Sequence, residues 1–531
     1  MSAFQELPLL SVLIFLPLVG AFFVLLVPDS LEKTTQNAKH TALFITLCTF
    51  FIALMMWSQF DAPVGSYAFM EDRMWIASLN IRYVVGVDGI SLFFIILTTF
   101  LMPLCILASF ENIKIFIKEF LVLMLILESL ILGAFCVLDL VLFYIFFEAV
   151  LIPLFLIIGL WGSDQRIYAA YKFFFYTLAG SIFMLIGVLF IVFKTGTSNI
   201  PELMLYPFES SLQKWLWGAF FISFAIKIPM FPFHTWLPDA HVEAPTSASM
   251  ILAGILLKMG AYGFIRLSLP FFPEACHFFA PFIWTLSSIA IVYAALITLV
   301  QRDMKKLIAY SSISHMGFVT LGIFTFTAEG LTGAMIQMLS HGLISAGLFL
   351  GIGILYDRMY TRDSDAYGGI AAILPQFSVL FMMLTLGAIG IPGTSGFVGE
   401  FCVMLAAFPI VPLGAVCAGV GIILASGYML FLYRRVMFGP LEKVKLQKIK
   451  PLSYRETGML SVLVGGMFWI GLSPHTFIDP MRQPILGILG YYQSYSKPTF
   501  FSYHKKESNQ EVRDYEEQDE QDESVKIALS L

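Results

Sequence analysis

Residues 220–236, FFISFAIKIPMFPFHTW, form the stretch of this sequence that is most informative about its fold. Lys227 lies in the middle of an apolar stretch that Pro229 and Pro232 interrupt. A charged amine at bilayer depth is costly, so such a residue marks a functional site by default. Prolines free backbone carbonyls, which are tolerated at that depth only inside protein or beside a water-filled cavity. An ionisable side chain beside a broken helix therefore indicates a path for ions or protons.

The composition of the chain is that of a polytopic membrane protein. Of its 531 residues, 58% are hydrophobic and only 13% are charged, and the mean hydropathy is +0.84. A soluble protein of this length would need more polar surface. The net charge of −5 arises largely from the stretch EVRDYEEQDEQDESVK near the C-terminus. The six cysteines lie in or near apolar runs without a CxxC pair, which predicts core packing rather than a disulfide or metal framework.

The apolar segments predict an all-α polytopic fold. A spanning helix needs roughly 20 apolar residues, and about 14 segments satisfy this requirement. They are centred near residues 17, 50, 97, 128, 150, 182, 223, 257, 287, 315, 342, 391, 425 and 467.

Two segments are internally broken at corresponding places, AIKIPMFPFHTW at 225–236 and AIGIPGTSGFVGE at 388–400, and both carry A-I-x-I-P. Paired broken helices are typical of inverted-repeat transporters with sites near the middle of the bilayer. We therefore expect two inverted five-helix repeats, each containing one broken helix. The predicted units are an N-terminal three-helix segment at 1–118, a first five-helix unit at 119–270, a second at 276–438, a cytoplasmic basic loop and C-terminal helix at 439–490, and an acidic disordered tail at 491–531.

The distribution of Lys and Arg predicts the orientation. Loops that follow odd-numbered segments carry far more of them than the other loops, including seven between Arg434 and Arg455, and Arg266 is assigned to an outer loop. Because basic loops stay in the cytoplasm, and because the helix count is even, both termini are expected on the outer side.

Further ionisable residues fall inside the predicted helices. Glu148 lies deep in the fifth segment, and we expect an ion pair with Lys227. At an effective dielectric constant near 20, unit charges ~4 Å apart interact by roughly 4 kcal/mol, enough for the proton occupancy of one group to control the other. A static ion pair between two helices is the alternative. Lys258, in the eighth segment, has no acid on its own helix, and a snorkelling side chain is its alternative interpretation.

His315 and His341 come from consecutive segments and are flanked by serines. Imidazole accepts on one nitrogen while it donates on the other, which suits a proton relay, although satisfied core histidines are the alternative. Glu400 ends the second broken segment and is the titratable candidate of the second unit. A helix cap is the alternative for Glu400.

Other polar residues give weaker indications. Glu128 is mid-helix and a possible channel-lining residue, for which a relay and interhelical hydrogen bonding are equally open. Further possible channel-lining residues, after the first break, are His234, Asp239 and His241. A metal site formed by His234, His241 and Glu243 is disfavoured because two prolines interrupt the set, and Asp88 is expected to cap a helix.

The sequence lacks a Gly-rich nucleotide loop after a strand and a cysteine cluster suited to iron–sulfur. We therefore expect no cofactor or metal in this chain and no redox chemistry. Partners are expected in the membrane, lipids included, with no nucleic acid among them.

Two stretches resemble a known family. AIKIPMFPFHTWLPDAHVEAPTSASMILAGILLKMGAYGFIRL begins at residue 225, and QRDMKKLIAYSSISHMGFVTLG begins at residue 301. Both are similar to the antiporter-like, proton-pumping membrane subunits of respiratory complex I, and GVDGIS at 86–91 agrees with this. The resemblance covers residues 1–480 approximately. It implies fourteen helices, two inverted five-helix units and a central polar axis, whereas the acidic tail lies outside the family pattern.

The resemblance also implies roles, partners and a location. It assigns proton translocation to Glu148 and Lys227 as an interacting pair, Lys258 as the central lysine, His315 and His341 as connecting histidines, and Glu400 at the end of the second broken helix. NADH, FMN, iron–sulfur clusters and quinone would be bound by partner subunits. Other complex I membrane subunits, antiporter-like ones among them, would be neighbours in the bacterial cytoplasmic (inner) membrane.

We therefore expect a proton-translocating membrane-arm subunit of an NADH:quinone oxidoreductase, driven by quinone reduction elsewhere in the complex. One alternative is a subunit of a multi-subunit cation/proton antiporter. A membrane cytochrome with His315 and His341 as haem ligands, and a purely structural helix scaffold, are further alternatives.

Overall fold

A computed structural model describes residues 8–27, 32–61, 66–439 and 450–495 of the chain, and helices dominate them. In chain order these helices are α1 Leu9–Leu26, α2 Glu32–Ser58, α3 Gly89–Asn112, α4 Ile117–Cys136, α5 Leu140–Ala149, α6 Leu151–Trp161, α7 Arg166–Thr195, α8 Ile200–Met204, α9 Ser210–Lys227, α10 Trp236–Glu243, α11 Thr246–Ile251, α12 Leu257–Gly263, α13 Leu269–Phe271, α14 Pro273–Val300, α15 Met304–Ile323, α16 Ala328–Met359, α17 Ile370–Ile373, α18 Pro375–Ile389, α19 Ser395–Ala407, α20 Pro412–Met437, α21 Tyr454–Leu472 and α22 His475–Tyr495.

The described residues contain ten helical spans that are long and apolar enough to cross a membrane. The bent pair formed by α21 and His475–Gly490 would make an eleventh. The helices α9 and α15, of 18 and 20 residues, are outside this set because they carry charged and polar side chains. The apolar helices α18 and α19 are shorter, with 15 and 13 residues. The protein is therefore a multi-pass helical membrane protein.

Both predicted helix breaks are present. The helix α9 ends at Lys227 and α10 begins at Trp236, whose indole Nε1 donates to the Ile226 carbonyl at 2.9 Å. In the second break, Gly390 and Gly393 have φ angles of 78° and 91°, a left-handed region that glycine enters without a Cβ penalty. A third interruption, which was not predicted, separates α5 from α6 at Val150.

Lys258 lies in α12, between two π-helical segments, Leu252–Leu256 and Phe264–Ser268. π-Helical turns are rare and occur frequently at functional sites. The Lys258 amine donates to the carbonyl of Ala253, inside the first of these segments. The long span Thr246–Phe271 is buried along its whole apolar window, so Lys258 cannot snorkel to water from this position.

At two places, here called loop crossings, two loops are joined by the same pattern of backbone hydrogen bonds. Asp139, the N-cap of α5, forms an antiparallel bridge with Asn199, and Asp303, the N-cap of α15, forms the same bridge with Asp363. Two backbone bonds flank each bridge, Leu140 N to Ser198 O and Ile200 N to Leu138 O in the first, and Met304 N to Arg362 O and Ser364 N to Arg302 O in the second. In both cases the start of one helix is tied to the loop after the following long helix.

The prediction of an all-α fold needs one correction. Residues between α2 and α3 form an antiparallel hairpin of β1 Ala68–Ile76 and β2 Ile81–Val87, with Asn80 in the left-handed region of the turn. The sequence YVVGV in β2 is rich in β-branched residues, which favour strands. A search for apolar runs of roughly 20 residues misses strands of 9 and 7 residues.

The helix α22 was also not predicted as a separate element. It is bent by 64° from α21, and its buried side chains recur every three or four residues, at Phe477, Met481, Ile485, Ile488 and Tyr492. Pro480 and Pro484 inside the helix obscured this pattern. Residues 491–495, predicted as the start of the tail, continue α22. The rest of the predicted tail, 496–531, lies outside the described residues.

The first residue of α3, Gly89, fixes how closely α22 approaches. A Cβ at this position would lie 1.7 Å from the Pro480 carbonyl oxygen. Gly89→Ala is therefore expected to displace α22 and to lower the unfolding free energy by about 1–3 kcal/mol, as overpacking generally does. Thermal unfolding in detergent measures this. The control is Gly458→Ala, where no atom lies within 4 Å of the added methyl group, and equal melting temperatures for the two variants would contradict the docking contact.

Candidate functional site

A contact between an amine and an imidazole lies inside the helical core. The fully buried Lys258 on α12 places its Nζ 2.7 Å from Nδ1 of His341 on α16. The other ring nitrogen of His341, Nε2, is buried, and no described residue forms a hydrogen bond with it. Because the two residues are 83 positions apart, the sequence did not reveal His341 as the partner of Lys258. An amine that donates to an imidazole nitrogen has the geometry for proton exchange.

A second contact joins α15 to α19. His315 Nδ1 lies 2.6 Å from Glu400 Oε1, and Gln337 Nε2 donates to the same oxygen at 2.8 Å. All three side chains are buried. The cap of α19 is Thr394, and Glu400 lies more than one turn inside the helix. The alternative of Glu400 as a helix cap therefore does not fit the structure.

The two contacts meet at the histidine rings. The ring centroids of His315 and His341 are 5.8 Å apart, with an interplanar angle of 52°. A change of ring orientation or one bridging water is enough to join such rings. We call the four residues Lys258, His341, His315 and Glu400 the buried line. Four helices, α12, α16, α15 and α19, each contribute one side chain to it.

Lys227 and Glu148 approach each other without forming the predicted ion pair. The Lys227 amine donates to the Phe147 carbonyl at 3.0 Å and lies 4.2 Å from the centroid of that ring. Glu148 is the next residue, and its Oε2 is buried without a hydrogen-bond partner in the described part of the chain. Its carboxyl group is close enough to Lys227 for the two charges to interact. Among the described residues, no ion pair within 4.0 Å joins the two. The carbonyls in the last turn of α5 lack helical partners and compete for the amine.

Glu128, on α4, is fully buried, and neither carboxyl oxygen has a hydrogen-bond partner in the described part of the chain. The interhelical hydrogen bond considered for it is therefore absent there. Its carboxyl group lies near Cys105 of α3. The structure does not bring Glu128 into the buried line.

The three possible channel-lining residues after the first break lie in different surroundings. His241 is fully buried, stacks on Phe349 with 4.6 Å between centroids, and lies in the electrostatic field of Lys258. It is thus close to one end of the buried line. His234 instead contacts the rings of Phe231 and Tyr293.

Asp239 and Glu243 have other partners. Asp239 forms a partly exposed ion pair with Lys172 on α7, at 2.6 Å. Glu243 accepts from the Gln165 amide at 3.0 Å and lies 3.9 Å from Arg362. In the residues that the structure covers, no group of three or more His, Cys, Asp and Glu side chains is arranged to hold a metal.

Arg266 was assigned to an outer loop, and this is wrong. It lies in the second π-helical segment, is 2% exposed, and forms an ion pair of 2.6 Å with Asp88. Asp88 also caps α3, as predicted, by accepting from the amides of Ile90 and Ser91. A buried arginine at the end of an apolar run cannot be distinguished by composition from one in the adjacent loop.

Gln337 is the residue of this site that the sequence analysis missed. It is 2% exposed and lies four positions before His341, which places both side chains on one face of α16. That spacing was the available signal. The sequence analysis also did not single out Lys305, a buried ionisable residue that is 4% exposed and donates to the Ala244 carbonyl at 2.8 Å.

These features define a multi-pass helical membrane protein with a buried line of ionisable side chains in its core. The chain belongs to the family described as "NADH:quinone oxidoreductase/Mrp antiporter, TM", which matches residues 137–425, more than half of the chain. The resemblance seen in the sequence is thereby confirmed.

Relatives match along nearly their full length. The chain is 48% identical to "NADH-ubiquinone oxidoreductase chain 4" of Arabidopsis thaliana, over 90% of this chain and 97% of that protein. It is 47% identical to "NADH-quinone oxidoreductase subunit M" of Rhodobacter capsulatus, over 92% of this chain and 97% of that protein.

Solved structures share the fold. A chain of respiratory complex I from Thermus thermophilus matches with a TM-score of 0.84 at 29% identity, covering 92% of this chain and 100% of that chain. A chain of the Mrp complex from Dietzia sp. matches with a TM-score of 0.77 at 18% identity, covering 91% of this chain and 51% of that chain. At that identity the second match supports the fold alone.

Proposed function

We propose that this chain is a proton-translocating membrane-arm subunit of an NADH:quinone oxidoreductase. The relatives named above are oxidoreductase chains of nearly the same length, and their identity to this chain is close to half. The observation that carries the proposal is the buried line, because it places two bonded titratable pairs in sequence inside an apolar bundle. Ionisable residues inside a membrane are energetically costly, so those that are present are by default candidates for a functional role.

The proton path uses Glu148, Lys227 and the buried line. Lys227 lies at the first helix break beside Glu148, and Glu400 lies just after the second break. A proton held by Lys258 passes to His341, then to His315, and then to Glu400, whose carboxylate becomes a carboxylic acid. Quinone reduction in a partner subunit supplies the driving force. Moving one charge across ~100 mV requires roughly 2.3 kcal/mol, which the switching of one buried charge pair can provide.

The membrane arrangement extends the ten to eleven apolar spans to fourteen. The added spans are the broken helix of α9 and α10, the polar helix α15, and the broken helix of α18 and α19, with α21 as the last. Three of these carry Lys227, His315 and Glu400, and these polar residues lower the hydropathy that span detection requires. Three of the helices that carry residues of the proposed path are thus less apolar than an ordinary membrane span.

Two inverted five-helix units form the core, one from α4 to α13 and one from α14 to α20. The matching crossings at Asp139 and Asp303 support this, because each ties the second helix of a unit to the loop after its third helix. The chain between the two aspartates contains an odd number of proposed spans, so the crossings lie on opposite sides of the membrane. Both termini are placed on the outer side of a bacterial cytoplasmic membrane, in keeping with the distribution of Lys and Arg.

The partners are other membrane subunits of the complex, antiporter-like neighbours included, and lipids. NADH, FMN, iron–sulfur clusters and quinone belong to partner subunits in this proposal, and this chain carries no redox centre. The antiporter alternative shares the fold and the family description. The oxidoreductase is favoured because the relatives with 45–48% identity are named as oxidoreductase chains.

The first experiment concerns Glu148→Ala and Lys227→Ala in the assembled complex. Each is expected to leave assembly intact and to lower proton pumping and coupled NADH–quinone activity by about 10²-fold, the usual contribution of a positioned proton-transfer group. Pumping is measured in proteoliposomes with a pH-sensitive dye. The controls are Lys214→Met, on the same helix as Lys227, and Glu119→Ala at the start of α4. Near-normal pumping by an assembled double variant would show that neither residue is on the path.

A further inference from the structure

Gln337 contacts the proton-carrying end of the buried line through a side chain that can both donate and accept. Its Nε2 donates to Glu400 Oε1 at 2.8 Å, whereas its own Oε1 is buried and has no hydrogen-bond partner among the residues that the structure describes. We propose that Gln337 is a positioning residue for Glu400, and that its amide turns over to follow the protonation state of that carboxyl group. This inference rests on the function proposed above.

The packing holds the amide within reach of the carboxyl group. A Cβ on Gly399 would lie 2.7 Å from both the backbone nitrogen and the Cα of Gln337. The helices α16 and α19 therefore meet at van der Waals contact one residue before Glu400. Because Gln337 is 2% exposed, its amide is shielded from solvent.

The chemistry of the amide matches both states of the acid. An ionised carboxylate accepts hydrogen bonds only, so it faces the NH2 group of Gln337, as in this structure. A protonated carboxyl group also donates, and after the amide turns by half a rotation its carbonyl oxygen accepts that bond. The bond to the ionised form is the stronger of the two because it is charge-assisted. Gln337 therefore offers the ionised form of Glu400 a hydrogen bond that an apolar residue could not supply.

Few titratable or charged groups of the described residues lie around Glu400, so the effect of Gln337 on the pH dependence of pumping can be isolated. From α15 comes His315, which bonds the same oxygen, with His341 of α16 behind it. From α20 comes the buried hydroxyl of Tyr428. The helix α18 contains no charged residue, and Glu456 at the start of α21 is bound to Arg358.

The test is the pH dependence of proton pumping by the full complex with Gln337→Met, which keeps the length of the side chain and removes both hydrogen-bonding groups. The pH at which pumping is half-maximal on the alkaline side is expected to rise by about one unit, a tenfold change in proton affinity. The control, Met338→Leu, changes the next buried residue of α16 without changing a hydrogen bond and should leave the profile unchanged. A profile of Gln337→Met that overlays the wild type overturns the proposal.

A second measurement covers the case in which Gln337→Met fails to assemble. Infrared difference spectra of the wild-type complex, labelled with ¹³C at glutamine amides, are recorded across the pH range in which pumping changes. We expect a glutamine amide band to shift together with a carboxyl band, and both changes to be lost in Glu400→Gln. An amide band that stays constant while the carboxyl group titrates overturns the proposal.

These experiments separate the two levels of inference. If Glu400→Gln pumps like the wild type, the proposed function of the buried line is wrong. If Glu400→Gln is impaired while Gln337→Met has the wild-type profile, only the role of Gln337 is wrong.

Discussion

Lys258→Met in the assembled complex is expected to lower proton pumping by about 10²-fold. The Lys258 amine is the first member of the buried line, 2.7 Å from His341 Nδ1. Methionine fills a similar volume and keeps the interior apolar, so the bundle should still assemble. It cannot hold or pass a proton. Because quinone reduction and pumping are coupled, the NADH–quinone activity is expected to fall with the pumping.

The matched control for Lys258 is its neighbour Met259→Leu, a buried change of similar size that leaves the amine in place. It should pump at the wild-type rate. Subunit content of the purified complex, measured by native gel and mass spectrometry, separates a loss of chemistry from a loss of assembly. Full pumping by an assembled Lys258→Met complex would remove Lys258 from the path and would favour a purely structural role.

Glu400→Gln is expected to have an effect of similar size, about 10²-fold on pumping. The substitution keeps the shape of the side chain and can still hydrogen-bond to His315 and Gln337, but an amide cannot take up the proton that His315 delivers. The exposed Glu329→Gln, in the first turn of α16, is the control and should be silent. The readout is again dye-detected pumping by proteoliposomes, together with NADH consumption.

Glu400→Lys is expected to be less harmful than Glu400→Gln. A lysine at this position would place an amine beside His315, and the structure already contains such a pairing in Lys258 and His341. Partial pumping by Glu400→Lys, above that of Glu400→Gln, is the predicted order. Equal and full activity of the Gln, Ala and wild-type forms would mean that Glu400 does not titrate during turnover.

The fold was predictable from the sequence wherever a long apolar run or a proline break marks it. Both broken helices are marked in the sequence by Lys227 beside Pro229 and by the repeated A-I-x-I-P. The hairpin and α22 were not found, because short strands and a proline-containing amphipathic helix do not produce an apolar run of spanning length. Arg266 was misplaced for a different reason, because composition does not distinguish a buried arginine at the end of an apolar run from one in the adjacent loop.

The site residues were predictable as individuals and not as pairs. An ionisable side chain inside an apolar segment is visible in the sequence. On that basis Lys258, His315, His341 and Glu400 were selected as candidate site residues. Which side chains touch depends on helix packing between segments far apart in the chain. For that reason Lys258 was left without a partner, and Glu148 was paired with an amine that instead bonds the Phe147 carbonyl. Gln337 carries no charge, so its position beside Glu400 became visible only in the packed bundle.

In the proposed function protons cross this chain along the buried line. His341 links the contact with Lys258 to the contact between His315 and Glu400. The most direct test is the number of protons pumped per NADH oxidised by proteoliposomes that contain the complex with His341→Leu, compared with the wild type. We expect an assembled complex with this substitution to pump less than about a tenth of the wild-type amount, because leucine cannot carry a proton. A wild-type ratio of protons to NADH at a wild-type rate would contradict it.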